Sequence, residues 1–331
     1  MNALITGGAG FVGSYLAEEL LRRGFYVMVI DNLSTGSFHN VKHLQDTRNF
    51  SLTVGSVTDE EVMEELIEKS DVIFHLAATV GVKQILEKPI ESISNNIRGT
   101  EVVLELAHQK GNKKLILASS SEVYGKSCKV PYKEDDDRVL GPTTAMRWCY
   151  SESKAIDEFL ALAYFRDKGL PTVIVRLFNT VGPRQKGRYG MVIPRFVKQA
   201  LLNQPITVYG DGQQKRCFAY VEDVVRGIIA LSDHPHAPGE IFNLGSTGSI
   251  SILDLATMTK RVAGSDSDTV FIPYHEIYGE TFEDVRNRVP DLTKVKKWIN
   301  FKPETSLEEV LGRVANYYRQ NPDLLNSEDR N

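Results

Sequence analysis

Short apolar runs recur along the first half of the chain, and longer stretches with an apolar stripe lie between them. The runs are Ala3-Leu4-Ile5, Tyr26-Val27-Met28-Val29-Ile30, Val72-Ile73-Phe74-His75-Leu76, Lys114-Leu115-Ile116-Leu117-Ala118 and Pro171 to Leu177. Continuous runs of this length, rich in Val, Ile and Leu, predict strands buried on both faces. Between them, Thr58 to Glu68 carries an apolar face at Val62, Leu66 and Ile67, and Ile93 to His108 and Ser151 to Phe165 read as helices. This β-α-β alternation predicts an α/β fold, a doubly wound parallel sheet with helices on both faces and ligands at the carboxyl ends of its strands. After about Asn179 the elements shorten and Gly, Pro and Arg become more frequent. The predicted division is a first region over 1–178, a smaller substrate-binding α/β region over 179–320 interleaved with it, and a polar, frayed tail over 321–331.

The first strand runs directly into Thr6-Gly7-Gly8-Ala9-Gly10-Phe11-Val12-Gly13. A strand, a glycine turn and a helix start in that order suit a dinucleotide pyrophosphate. Gly7 allows the tight turn, Gly10 admits the phosphates close to the backbone, and Gly13 lets the helix pack on its strand. The phosphates then sit on the helix N-terminus, where free N–H groups and the dipole favour negative charge. The second strand ends in Asp31, near the offset expected for a carboxylate on the ribose diol. A carboxylate there repels a 2′-phosphate, so the expected cofactor is NAD rather than NADP and the sheet Rossmann-like.

Composition narrows the class. The 331 residues carry a formal charge of −4 without a basic block, which argues against nucleic acid as a partner. No apolar stretch is long enough to span a bilayer, and no charged-then-apolar leader precedes the first strand. Cys128, Cys149 and Cys217 lack metal-ligand spacing and form an odd set, so no metal is expected and the cytoplasm is the expected location.

The chemistry falls in the middle of the chain. Strand Lys114–Ala118 leads into Ser119-Ser120-Ser121-Glu122-Val123-Tyr124-Gly125, and later comes Tyr150-Ser151-Glu152-Ser153-Lys154. Tyr150 and Lys154 are one helical turn apart and share a face. A nearby ammonium stabilises phenolate and is expected to lower the tyrosine's pKa from its reference near 10. Tyr150 then reads as a general base, with the Ser120 hydroxyl bonding the substrate hydroxyl that loses its proton. YxxxK by itself is a common chance match; its place after a nucleotide turn and a serine cluster gives it meaning.

These features resemble the extended short-chain dehydrogenase/reductase family, specifically its nucleotide-sugar branch, over roughly Ala3 to Tyr318. Carrying the resemblance are the glycine turn, His75-Leu76-Ala77-Ala78, Asn96-Ile97-Arg98-Gly99-Thr100, the Ser–Tyr–Lys set, and Arg176-Leu177-Phe178-Asn179-Thr180-Val181-Gly182-Pro183-Arg184. Val208-Tyr209-Gly210-Asp211-Gly212 with Arg216, and Arg288-Val289-Pro290-Asp291, extend it. The resemblance implies NAD held by Gly7, Gly10, Phe11, Val12, Gly13, Asp31, Asn32, Ala77, Asn96, Tyr150 and Lys154. It implies a UDP-sugar or other nucleotide sugar held by residues among Lys83, Ser121, Asn179, Arg188, Val208, Tyr209, Arg216, Arg288 and Asp291. It further implies a homodimer through paired helices, here Ile93–His108 and Ser151–Phe165. Ser56 stands where many relatives carry Asp, so the adenine contact is expected to be shifted. Guanidinium groups clamp phosphate oxygens bidentately, which fits Arg216 and Arg288 on a diphosphate. For Arg184, Arg188 and Arg195 a solvated surface charge is an equal alternative.

Members of this branch begin alike, with oxidation at C4 to a 4-keto sugar. Return of hydride to the other face gives a 4-epimerase; loss of a C5 carboxylate gives a decarboxylase; elimination across C5–C6 gives a 4,6-dehydratase. Glu122 and the stretches Arg147-Trp148 and Tyr278 to Val285 resemble the decarboxylases, with Glu122 also at home in dehydratases. Thr79-Val80-Gly81-Val82-Lys83 resembles the epimerases. Ser121 stands where dTDP-glucose dehydratases carry Asp. Minimal requirements (Ser120, Tyr150, Lys154 and NAD) rank a UDP-sugar 4-epimerase first, a UDP-glucuronate decarboxylase second and a dehydratase third, with Ser120, Glu122, Tyr150 and Lys154 the candidate catalytic residues. A non-enzymatic NAD sensor on this fold has no need of an activated tyrosine.

Overall fold

A computed structural model describes residues 1–187, 191–278 and 285–327; for 82–84 only the backbone is described. The first half lays down β1 (Asn2–Thr6), α1 (Phe11–Arg22), β2 (Tyr26–Asp31), β3 (Phe50–Val54), α2 (Glu60–Glu68), β4 (Val72–His75), α3 (Val82–Glu87), α4 (Pro89–Gln109), β5 (Lys114–Ser120), α5 (Trp148–Lys168) and β6 (Thr172–Leu177). Beyond them lie β7 (Thr180–Val181), α6 (Val192–Leu201), β8 (Ile206–Tyr209), β9 (Lys215–Cys217), β10 (Ala219–Tyr220), α7 (Val221–Asp233), β11 (Ile241–Leu244), β12 (Ser249–Ser251), α8 (Ile252–Ala263), β13 (Thr269–Ile272), α9 (Tyr274–Tyr278), β14 (Asn287–Arg288), α10 (Thr293–Ile299), α11 (Leu307–Gln320) and α12 (Asp323–Ser327).

The central sheet has seven strands in the order β11-β6-β5-β4-β1-β2-β3, and every pairing in it is parallel. Its strands divide their side chains between two apolar layers. Ala3, Ile5, Val27 and Val29 join the layer built with α1, α6, α7, α8 and α11. Leu4, Met28 and Ile30, their alternate neighbours, join the layer under α2, α4 and α5. The period-2 pleat thus turns one continuous apolar run into two cores. The chain after Asn179 returns to this sheet, because β11 pairs with β6. Three small sheets stand apart from it: β10-β7, β13-β8 and β12-β9-β14.

Three local expectations need amendment. The edge strand β3 was not foreseen, because Phe50-Ser51-Leu52-Thr53-Val54 alternates apolar and polar residues and lacks a continuous apolar run. The helices expected over 93–108 and 151–165 begin earlier, at Pro89 and Trp148; Pro89 suits a helix's first turn, where its missing N–H loses no bond. The tail is not wholly frayed: Leu324 and Leu325 pack against the larger apolar layer, and α12 forms there.

Candidate active site

Two cavities meet at the carboxyl ends of β1, β4 and β5. The first is lined by Gly7, Gly10, Gly13, Asp31, Asn32, Ala77, Ser119 and Lys154, and the second by Ser121, Glu122, Arg147, Asn179, Arg195, Tyr209, Arg216 and Arg288. Phe11, Val12, Ser120 and Tyr150 form part of the wall of both. The shared wall therefore holds the candidate hydroxyls at the point where contents of the two cavities can touch.

The first cavity has the shape of a phosphate cradle. Gly7 adopts φ +70°, and a Cβ on it would lie 2.9 Å from the backbone of Ala77. A Cβ on Gly13 would stand 2.4 Å from the Gly7 carbonyl oxygen, so only glycine lets α1 approach the turn. Asp31 is 7% exposed at the end of β2; its carboxylate accepts from Ala9 N at 3.0 Å and Leu33 N at 2.8 Å. Burial pushes its pKa up against those two bonds. Ser56 lines the same cavity and bonds Thr58 through their hydroxyls at 2.8 Å. Asn96 does not line it. Its amide is buried between α4 and α5, with Oδ1 accepting from Thr79 N at 2.7 Å and Nδ2 near Ser153 Oγ at 3.3 Å, while Asn95 faces the cavity.

At the junction, β5 ends in Ser120, whose Oγ accepts from Glu122 N at 3.2 Å at the start of a 3₁₀ turn. That leaves the Ser120 proton for another acceptor. The Tyr150 side chain shares the cavity wall with Ser120, and α5 places Lys154 one turn further on the same face. The lowered Tyr150 pKa expected from the lysine is corrected here. Burial pushes the phenol upward, and the Lys154 charge and the Ser120 hydroxyl pull down without offsetting it. Lys154 itself is 2% exposed and ion-paired to Asp157 at 2.8 Å. Burial would lower its pKa, but Asp157 and Tyr150 hold it raised. Behind them His75 is fully enclosed between Thr6 and Thr100, and burial, then Lys154, drive its pKa down to about 3, so it stays neutral.

In the second cavity Glu122 is clamped between Arg288 Nη1 at 2.7 Å and Arg147 Nη2 at 3.1 Å. Burial opposes its charge, yet the two guanidinium groups override that and hold its pKa at about 2. Both arginine side chains are almost fully buried, and Arg147 stacks on Trp148 at 4.5 Å. Arg216 and Arg288 are Cα partners in the parallel pair β9–β14, so both project from one face of that small sheet. Arg195 lies over the Tyr209 ring at 3.6 Å. Asn179, at positive φ, donates from Nδ2 to Cys217 O at 2.8 Å.

Other expected residues lie elsewhere. Val208 is wholly buried in the apolar layer and turns away from the cavity. Asp291 accepts from Thr293 N at 2.7 Å, making the turn into α10, and does not line the cavity. Arg184 lines the first cavity rather than the second, and reaches back to Glu18 at 2.6 Å and Ser14 at 3.2 Å, joining the second region to α1. Lys83 lies on α3 with its side chain outside the described atoms, and Arg188 and residues 279–284 lie outside the described residues. Among the described residues no cluster of three His, Cys, Asp or Glu side chains could hold a metal ion, and no helix is long and apolar enough to cross a membrane.

This constellation can be compared with known proteins. A family model described as GDP-mannose 4,6 dehydratase matches residues 4–314. The chain is 45% identical over 320 residues to UDP-N-acetyl-alpha-D-glucosaminuronate decarboxylase of Bacillus cytotoxicus, covering 96% of this chain and 98% of that protein. The chain belongs to the extended short-chain dehydrogenase/reductase family of nucleotide-sugar enzymes. Within this family it is also 37% identical to UDP-glucuronic acid decarboxylase 1 of Arabidopsis thaliana, over 99% of this chain and 72% of that protein. Among solved structures, UDP-glucuronic acid 4-epimerase from Bacillus cereus, in complex with UDP-glucuronic acid and NAD, superposes with a TM-score of 0.88 at 28% identity, covering 97% of this chain and 100% of that one.

Sequence reasoning left several residues of this dehydrogenase/reductase site unassigned. Arg147 and Tyr278 were noted only as parts of a resemblance, and Gln214 and Tyr274 were passed over. None has a spacing that marks it, since all reach the cavity through tertiary contacts. Asp157 had a local signal, one turn beyond Lys154 on the same helix.

Proposed function

We propose that the protein is an NAD-dependent decarboxylase of a UDP-linked hexuronate, with the 2-acetamido sugar as first candidate. The observation that carries this reading is Glu122, an ionised carboxylate held by two buried arginines beside Ser120 and Tyr150. Simple epimerisation at C4 has no use for such a group. The 45% identity to a decarboxylase of that acetamido uronate supports the same reading.

The first cavity fits NAD, because its floor is backbone that any Cβ would fill and its far end carries Asp31. When bound, NAD supplies the acceptor and later the donor of the C4 hydride. Tyr150 takes the C4 hydroxyl proton, and Ser120 donates to the same oxygen. These two groups then stabilise the enolate left at C4–C5 when the C5 carboxylate departs as carbon dioxide. Arg147 and Arg288 attract that carboxylate into place, and Glu122 fixes both guanidinium groups. Glu122, paired with both guanidinium groups, has a positional part; C5 takes its proton from solvent water entering the second cavity, and on reduction of C4 Tyr150 returns the proton to the C4 oxygen. Arg216, with Arg288 beside it, faces the diphosphate. On this reading residues 1–178 mainly bind NAD and carry the reacting groups, and 179–320 mainly hold the nucleotide sugar. The assembly is a homodimer through α4 and α5.

The second reading is a UDP-uronate 4-epimerase, favoured by the close superposition on the Bacillus cereus epimerase. It ranked first on minimal requirements; we rank it second because the Glu122 clamp supports decarboxylation. Purified protein incubated with UDP-glucuronate and with its 2-acetamido counterpart, without added reductant, separates the two by mass spectrometry and proton NMR. Loss of the carboxyl group to a pentose nucleotide is expected. An unchanged mass with an altered H4 coupling would make it an epimerase, and no change with either sugar would remove uronates as substrates. Tyr150→Phe should lower turnover by about 10²- to 10⁴-fold while NAD stays bound; retained turnover would remove Tyr150 from the chemistry.

A further inference from the structure

Residues 184–186 of the second region line the first cavity together with the glycine turn and Asp31. The two ends of this stretch are tied to different walls. Arg184 lies over the Tyr15 ring at 4.5 Å and reaches Glu18 at 2.6 Å, both on α1, the helix that opens at the phosphate cradle. Lys186, half-buried, donates from Nζ to Thr35 O at 3.0 Å and to Gly36 O at 3.2 Å, on the loop that follows β2. That loop forms a lip over Asp31. A Cβ on Gly36 would lie 2.7 Å from Asp31 Oδ1, so the backbone there passes directly against the carboxylate. Asn32, Ser34 and Thr35 line the cavity beside it. The foot of the lip is held locally, with Leu33 N donating to Asp31 Oδ1 at 2.8 Å and Ser37 N to Ala9 O at 2.9 Å. Its crest is held by a side chain that comes 150 residues later.

We propose that Lys186 is a positioning residue for the cofactor: it ties the 32–36 lip down over the candidate ribose carboxylate, so that NAD leaves the protein only after this tie opens. An ammonium on two carbonyl oxygens makes charge-assisted bonds, stronger than neutral ones. Fixing a lysine in one geometry costs rotamer entropy, and here that cost goes into holding a loop that lines the cofactor cavity. The chemistry gives the tie a use. Hydride taken from C4 must be returned within the same turnover, so the dinucleotide has no need to exit between the two transfers. Loss of its reduced form while the keto sugar waits would end the cycle. The proposal goes beyond the choice of reaction, since decarboxylation and epimerisation both need the reduced cofactor retained.

The test is the rate at which purified holoenzyme releases NAD, followed as radiolabelled NAD chased by excess unlabelled NAD with no sugar present. Lys186→Met keeps the stem and removes the donors. Its release is expected to be about tenfold faster, the effect of losing about one strong hydrogen bond. Lys186→Arg keeps the charge and the donors and is expected to bring release back towards the parent rate. Equal release from the parent and Lys186→Met overturns the proposal. Faster release that Lys186→Arg does not slow also overturns it. So does faster release matched by a fall in the melting temperature of the NAD-free protein, because Lys186 would then only brace the fold. No sugar enters the assay, so failure here is told apart from failure of the decarboxylase reading, which the product assay decides.

Discussion

At the residue scale, both the stability of the clamp and the proposed reaction branch turn on Glu122. Its carboxyl has an ordinary pKa of 4.5 and is held at about 2 in the fold. Between those values the unfolded chain binds the proton more readily. The clamp therefore contributes fully above about pH 4.5, up to about 3 kcal/mol, and its contribution is lost as pH falls through about 2. Glu122→Gln keeps the shape but leaves Arg147 and Arg288 against a neutral amide. Unfolding free energy at pH 7 should drop by about 2–3 kcal/mol, and the loss between pH 4.5 and pH 2 should flatten. Decarboxylation should fall by about 100-fold or more. Urea titrations at pH 7 and pH 3, beside the product assay, check both. An unaltered acid dependence would mean that the clamp does not hold the charge in solution.

At the scale of elements, the β1–α1 turn is tightly constrained by backbone. Gly13 is the test position, since an added Cβ meets the Gly7 carbonyl oxygen at 2.4 Å and Gly8 Cα at 2.6 Å. Both atoms belong to the backbone and cannot rotate away, so α1 would have to lift off its strand. Gly13→Ala should cost about 1–3 kcal/mol and strip the purified protein of NAD. Thermal melting and the nucleotide released on denaturation measure the two effects. A variant that still carries a full complement of NAD would exclude this turn as the phosphate cradle.

For the whole molecule, the helix pair α4–α5 forms one outer layer, yet it leaves Ile90 81%, Phe159 66% and Ile156 40% exposed. Ile156 and Phe159 are three residues apart and share a face of α5. Apolar side chains gathered on the outside of a helix pair fit a second copy packing there. Phe159→Glu places a charge in that seam. Sedimentation velocity should show a dimer for the parent and a monomer for the variant, with NAD content unaltered. A monomeric parent at micromolar concentration would discard this interface. The helix pair is also the layer that carries Tyr150 and Lys154, so dimer loss is expected to lower activity without altering the form of the pH profile.

What the amino-acid order by itself determined is what sits within one or two turns of backbone. The glycine turn, Asp31 at the end of β2, Ser120 at the end of β5 and the Tyr150–Lys154 face of α5 are all local, because strand and helix periods set where neighbouring side chains point. Tertiary structure alone decided the rest. Arg216 and Arg288 come together only through the register of β9 on β14, and Glu122 meets Arg147 and Arg288 across three separate segments. A one-residue rotation of α4 sends Asn95 to the cavity and Asn96 into the helix pair. The same helix that sets Asp157 on Lys154 leaves Glu152 outside, paired with Arg138 at 3.0 Å. The Tyr150 pKa followed suit: spacing revealed the lysine that lowers it, whereas the burial that outweighs the lysine exists only once α5, β4 and β5 close around the phenol.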